Sequence, residues 1–114
     1  MFFLALATLV EATETIAPRK FEEPCFAMSA GDRLEYRFEA AAPLDFNLHF
    51  HEADAVHYPA RLEAVSQHTD TFVAEVDQTY CLMWSNRSDA PVTLDYQYKL
   101  YSEEVDDAPD TGDR

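Results

Sequence analysis

The chain has 114 residues, 47% of them hydrophobic and 13% aromatic, which suffices for one globular core and is too short for two. Its 22 acidic residues stand against 8 basic ones, for a formal net charge of -14. Such a field repels phosphate backbones and anionic headgroups, which argues against nucleic acid and against direct membrane-surface binding.

Residues 1–12 contain a near-continuous apolar run, Phe2–Val10 (FFLALATLV), followed by the small residues of Glu11-Ala12-Thr13. A run of this length suits the core of a signal sequence, here truncated because no basic residues precede it. It is about half a bilayer span. The alternative is a first buried strand or a short helix. Residues 13–20 lack periodicity and read as a linker. Phe21–Ser29 (FEEPCFAMS) is a first strand, with Pro24 marking an edge position or a bulge. Gly31-Asp32 is a turn, Arg33–Glu39 alternates with Leu34, Tyr36 and Phe38 inward, and Ala40–Pro43 makes a second turn.

The stretch Leu44–Glu52 (LDFNLHFHE) alternates without a break. One face is apolar, through Leu44, Phe46, Leu48 and Phe50. The other carries Asp45, Asn47, His49 and His51. Ala55–Val65 contains Pro59 and reads either as two short strands or as a strand with a brief helical turn. Thr71–Val76 alternates again. Thr79–Asn86 (TYCLMWSN) is apolar on both faces, as a central strand should be. After a turn at Arg87–Pro91, Val92–Tyr101 is a long last strand, and residues 102–114 form an acidic tail too poor in apolar groups to order itself. Short strands at about ten-residue spacing, with no amphipathic helix, predict an all-β fold, an antiparallel β-sandwich of seven or eight strands.

The two cysteines, Cys25 and Cys81, would be unpaired small hydrophobes in a cytosolic protein and a disulfide in an exported one. The N-terminal apolar run favours the periplasmic or secreted setting. Their contexts also carry a family resemblance. Cys25-Phe26 and Gly31-Asp32 open the domain, and Tyr80-Cys81-Leu82-Met83-Trp84-Ser85-Asn86 falls late in it. This pattern resembles the GOLD (Golgi dynamics) domain, the luminal β-sandwich of early secretory cargo receptors, over roughly Phe21–Tyr101. The sequence departs from that family in a contracted Tyr-to-Cys spacing and in Leu-Met-Trp before Ser-Asn. The resemblance implies a stand-alone, soluble GOLD-like or jelly-roll-like sandwich that binds proteins and is not an enzyme. It also implies that Cys25 pairs with Cys81.

Of the chemical constellations, His49 and His51 are the foremost. At i and i+2 on one strand their Cα atoms lie about 6.5–7 Å apart on one face, close enough for both rings to share an ion. His49, His51, Glu52 and His57 together offer a ligand set for zinc or copper, the alternative being an ordinary solvated strand face. Cys81 and Met83 share a face, but no histidine follows Cys81, which argues against a blue-copper site. Asn86-Arg87-Ser88 is a glycosylation sequon. Tyr96, Tyr98 and Tyr101 could line a groove, although Tyr96 and Tyr98 fall on the apolar face of their strand. Ser66, Thr71 and Ser85 lack activating motifs, and two glycines are too few for a phosphate loop. The sequence therefore points to a non-enzymatic extracytoplasmic binding module with a protein partner and no required cofactor. Its alternative is a small periplasmic copper- or zinc-binding protein.

Overall fold

The computed structural model of the chain describes residues 2–106, with side chains described over 7–102. Seven strands are formed: β1 (Phe2–Ile16), β2 (Phe21–Glu22), β3 (Cys25–Met28), β4 (Arg33–Glu52), β5 (Ala55–Val73), β6 (Gln78–Ser85) and β7 (Val92–Asp106). All pairings are antiparallel, in the order β1-β7-β4-β6-β2, with β3 also on β6 and β5 on β4. The first half of β4, Arg33–Ala40, pairs with β7, and its second half, Asp45–Phe50, pairs with β6. β5 follows β4 along both halves. The bent β4–β5 ribbon is thus common to two sheets, which fold over one another as the predicted β-sandwich.

Alternation in the sequence builds the core between them. Leu34, Tyr36 and Phe38 of β4 with Leu94, Tyr96 and Tyr98 of β7 supply one layer. Phe46 and Leu48 of β4 with Tyr80, Leu82 and Trp84 of β6 supply the other. Aromatic rings join the layers: Trp84 stacks on Tyr96 with centroids 4.6 Å apart, and Phe26 meets Tyr98 at 4.8 Å. Each fully buried side chain of this size contributes about 1.5–3 kcal/mol by leaving water. Tyr96 and Tyr98 are therefore core residues rather than a groove, while Tyr101 lies under the Arg33 guanidinium at 4.1 Å.

Several boundaries differ from expectation. The apolar run Phe2–Val10 and residues 13–16 of the expected linker form β1, which pairs residue for residue with β7, from Phe2 opposite Asp106 to Ile16 opposite Val92. Residues 102–106 of the expected tail belong to β7, and 107–114 lie outside the described residues. Ala40–Pro43 is no turn. The chain bends there within one strand, with register shifts between Glu39 and Leu44 and again between Leu44 and Phe46. Small side chains and a proline without an N–H suit a bend whose ladder is interrupted. Ala55–Val73 is likewise one strand, with no helical turn, and Thr71–Val76 ends as strand at Val73. The turn at Gly31 is as predicted, with φ of 95°, a conformation open to glycine.

Asn86 joins the ends of the fold. It is 1% exposed, and its amide nitrogen donates to the carbonyls of Ile16 at 3.0 Å, Ala17 at 3.3 Å and Ala90 at 2.8 Å. Its Oδ1 accepts from the Ser88 backbone N–H at 2.9 Å and from the Ser88 hydroxyl at 2.7 Å. The sequon asparagine is a buried tie between β1 and the β6–β7 loop, and the folded chain offers no glycan acceptor at this position.

Candidate binding site around His49

The alternation of LDFNLHFHE sets the site. Leu44, Phe46 and Leu48 enter the core, which turns Asp45, Asn47, His49 and His51 to the outer face of the second sheet. Register then aligns three strands: His49 lies opposite Cys81 on β6, and Cys81 lies opposite Cys25 on β3. Cys25 and Cys81 form a disulfide with their Cα atoms 4.1 Å apart. This is the pairing that the resemblance implied. At Glu23-Pro24 the chain kinks between β2 and β3, and Glu23 folds over the row so that its Oε2 lies 3.0 Å from His49 Nε2.

His49 is 4% exposed, unusually little for an outward-facing histidine. The His51 ring stands edge-on to it at 5.3 Å and Tyr58 lies at 6.0 Å. Its Nδ1 is 2.6 Å from Asn47 Oδ1. Burial pushes the imidazole below its ordinary value of 6.5. The Glu23 carboxylate partly offsets this, and His51 adds to the lowering. At neutral pH the ring is uncharged and carries one N–H, yet both ring nitrogens face oxygen atoms. With Asn47 presenting its carbonyl oxygen, Nδ1 holds the proton and the Nε2 lone pair points at Glu23. A half-turn of the Asn47 amide gives the other solution, in which Nε2–H donates to Glu23.

The predicted ligand set does not assemble. His49 and His51 share a face, but His57 lies opposite Phe50 in the β4–β5 register and stacks on its ring, with centroids 4.9 Å apart. His57 Nε2 pairs there with Glu52 at 3.3 Å, in the open. Alternation puts Glu52 and His57 on the face away from His49, so the four cannot meet around one ion. Among the described residues the group that does converge is Glu23, His49 and Cys81, whose ligand atoms all lie within 4.8 Å of one another. Glu23 was not legible in the sequence, since its place depends on the β2–β3 kink and on register. Met83 lies opposite Asn47 on the same strand pair, and the Cys81 sulfur is committed to the disulfide.

No family model matches the chain, and no curated protein does. Among solved structures, it is similar to the Yersinia pseudotuberculosis-derived mitogen, at 14% identity over 93% of each chain with a TM-score of 0.56. It is also similar to Aeromonas hydrophila PliG, a periplasmic lysozyme inhibitor of g-type lysozyme, at 12% identity over 86% of each chain with a TM-score of 0.51. The architecture is shared and the sequence is not.

Beyond His49 the outer faces are shallow. A trough of about 600 Å³ crosses the first sheet between Glu11, Arg37, Glu39 and Asp95. Two pairs of its polar groups are engaged with one another, Arg37 with Gln97 at 3.1 Å and Thr13 with Asp95 at 2.6 Å. It lies on the other sheet from His49 and brings no third group to the histidine. Next to the His49 row, Tyr58 is 43% exposed and carries the Arg61 guanidinium over its ring at 4.5 Å. Among the described residues β5, which bears both, pairs with β4 alone and leaves its other edge open.

Proposed function

We propose that the chain is a non-enzymatic, extracytoplasmic protein-binding module whose contact surface is centred on Tyr58 and Arg61 at the open edge of β5. The observation that carries this reading is that stacked, exposed Tyr–Arg pair on a strand with β4 on one edge and no described strand on the other. Tyrosine and arginine supply large, rigid contact area, and they dominate binding energy where proteins meet. An unpaired strand edge offers backbone groups to a partner chain. The disulfide supports an oxidising compartment. The GOLD-like features of Phe21–Tyr101 fit the same proposal, and PliG, of similar fold, is a periplasmic lysozyme inhibitor of g-type lysozyme.

The test is site-specific photocross-linking in the native host, with the photoreactive residue at Tyr58 and, as a control, at Glu39 on the other sheet. A discrete adduct with an extracytoplasmic protein from position 58 and not from 39, lost on Arg61→Ala, is the expected result. Equal adducts from both positions, or none from 58, would remove the surface from consideration.

A further inference from the structure

We propose that the corner built by Glu23, Cys25, His49 and Cys81 is a redox-gated zinc site: the disulfide closes it, and reduction opens a four-ligand centre for Zn2+. The inference does not depend on the protein-binding reading.

Three ligand atoms, the His49 Nε2, a Glu23 carboxylate oxygen and the Cys81 sulfur, already lie within 4.8 Å of one another, and the Cys25 sulfur is bonded to the third. Tetrahedral zinc, at about 2.3 Å from sulfur and about 2.0–2.1 Å from nitrogen or oxygen, separates its ligand atoms by roughly 3.3–3.8 Å. The required movements are small side-chain rotations, and the largest of them parts the two sulfurs. Two thiolates, one imidazole and one carboxylate form a donor set that suits zinc.

The surroundings are those of a prepared ligand. Metal-bound histidines are held by a hydrogen bond from their second nitrogen to a carbonyl or carboxylate oxygen. Asn47 Oδ1 stands at Nδ1 of His49, 2.6 Å away, in that role. In this arrangement the Nε2 lone pair and the Glu23 oxygen face one another at 3.0 Å, two acceptors that a cation between them would satisfy. His49 and Cys81 are buried while Cys25 is exposed, so a reductant reaches the disulfide from the Cys25 side.

The chemistry balances with a dithiol as reductant. Its thiolate attacks the Cys25 sulfur and the Cys25–Cys81 bond breaks. The second thiol of the reductant then closes the reductant's own disulfide, leaving Cys25 and Cys81 as thiols. Two electrons pass from the dithiol to the protein. Zinc then displaces the two thiol protons as it binds. A sulfur held in a disulfide is a poor donor, so the cross-link and the metal exclude one another.

The experiment takes the full chain, reduces it with dithiothreitol, removes the reductant under argon, and titrates with Co2+ as a spectroscopic probe and then with Zn2+. The expected result is one equivalent of Co2+ with thiolate-to-cobalt charge-transfer bands and the intense visible bands of a tetrahedral site, both bleached by Zn2+. The oxidised protein and Cys25→Ser/Cys81→Ser should show neither band. His49→Ala and Glu23→Gln should each weaken Zn2+ binding at least about tenfold. Near-ultraviolet circular dichroism follows the fold throughout. Absence of thiolate bands in the reduced protein would overturn the proposal, as would affinity untouched by His49→Ala. So would a reduced chain that loses its native dichroism and does not regain it with Zn2+.

Discussion

At the scale of single residues, Asn86 holds more of the structure together than its place in a turn suggests. Its two N–H groups are shared among the carbonyls of Ile16, Ala17 and Ala90, the last of which also accepts from the Ser88 hydroxyl at 3.0 Å, and its oxygen orders Ser88. Asn86→Ala takes the buried Ile16 carbonyl's side-chain donor away, at about 1–3 kcal/mol for a buried group left unpaired. It also removes one donor each from Ala17, which keeps the Lys20 N–H, and Ala90, which keeps the Ser88 hydroxyl. We expect a loss of about 2–4 kcal/mol, measured as a lower urea midpoint at unchanged slope, against about 1 kcal/mol for Ser88→Ala. Residue-level legibility divides along the same line. The shared face of His49 and His51 followed from strict alternation, which needs no knowledge of neighbours. Glu23 and Asn86 act across strands far apart in sequence, and nothing local to FEEPCF or SNRS announces their partners.

At the scale of elements, the alternating segments were legible and their continuity was not. Ala40–Pro43 breaks the alternation, and a break with proline looks the same whether the chain reverses or only bends. What distinguishes the two is β5, which follows β4 around the bend and keeps it extended. Ala64 sits at this irregularity with φ of 53°, and its N–H donates to Asp45 Oδ1 at 3.0 Å. A side chain in that backbone region is strained, and glycine is not. Ala64→Gly should therefore raise stability by roughly 0.5–1 kcal/mol, whereas Ala60→Gly, in the regular ladder, should lower it by a similar amount. Chemical denaturation of the two variants side by side reads the sign directly.

At the scale of the whole molecule, the β-sandwich class was legible because its periodicity is written in every strand, while the sheet order depends on long-range pairing. The packed aromatic layers have a titration consequence. Burial raises the phenols of Tyr36, Tyr80, Tyr96 and Tyr98 above the ordinary 10.0, with Asp70 adding to Tyr36 and Glu22 to Tyr96. Their folded values exceed their unfolded ones, so their contribution is complete below pH 10 and is lost as the pH rises through the folded values. Stability should therefore fall with increasing alkalinity above pH 10. Phenolate absorbance from these four should appear together with loss of the near-ultraviolet dichroism, not before it. Stepwise ionisation with the dichroism intact would contradict the packing described.

β1 and β7 are drawn from opposite ends of the chain, whereas β4 and β5 are joined by a tight reversal at Ala53-Asp54. Local hairpins close cheaply and early, and pairings between distant segments close late. During synthesis the apolar Phe2–Val10 segment leaves the ribosome ahead of the other described strands and finds its strand partner last. Pulse-labelled refolding should accordingly protect the amides of β4 and β5 before those of β1. Until β7 is made, this segment is an unfolded apolar peptide, the kind of ligand that chaperones and translocation machinery hold.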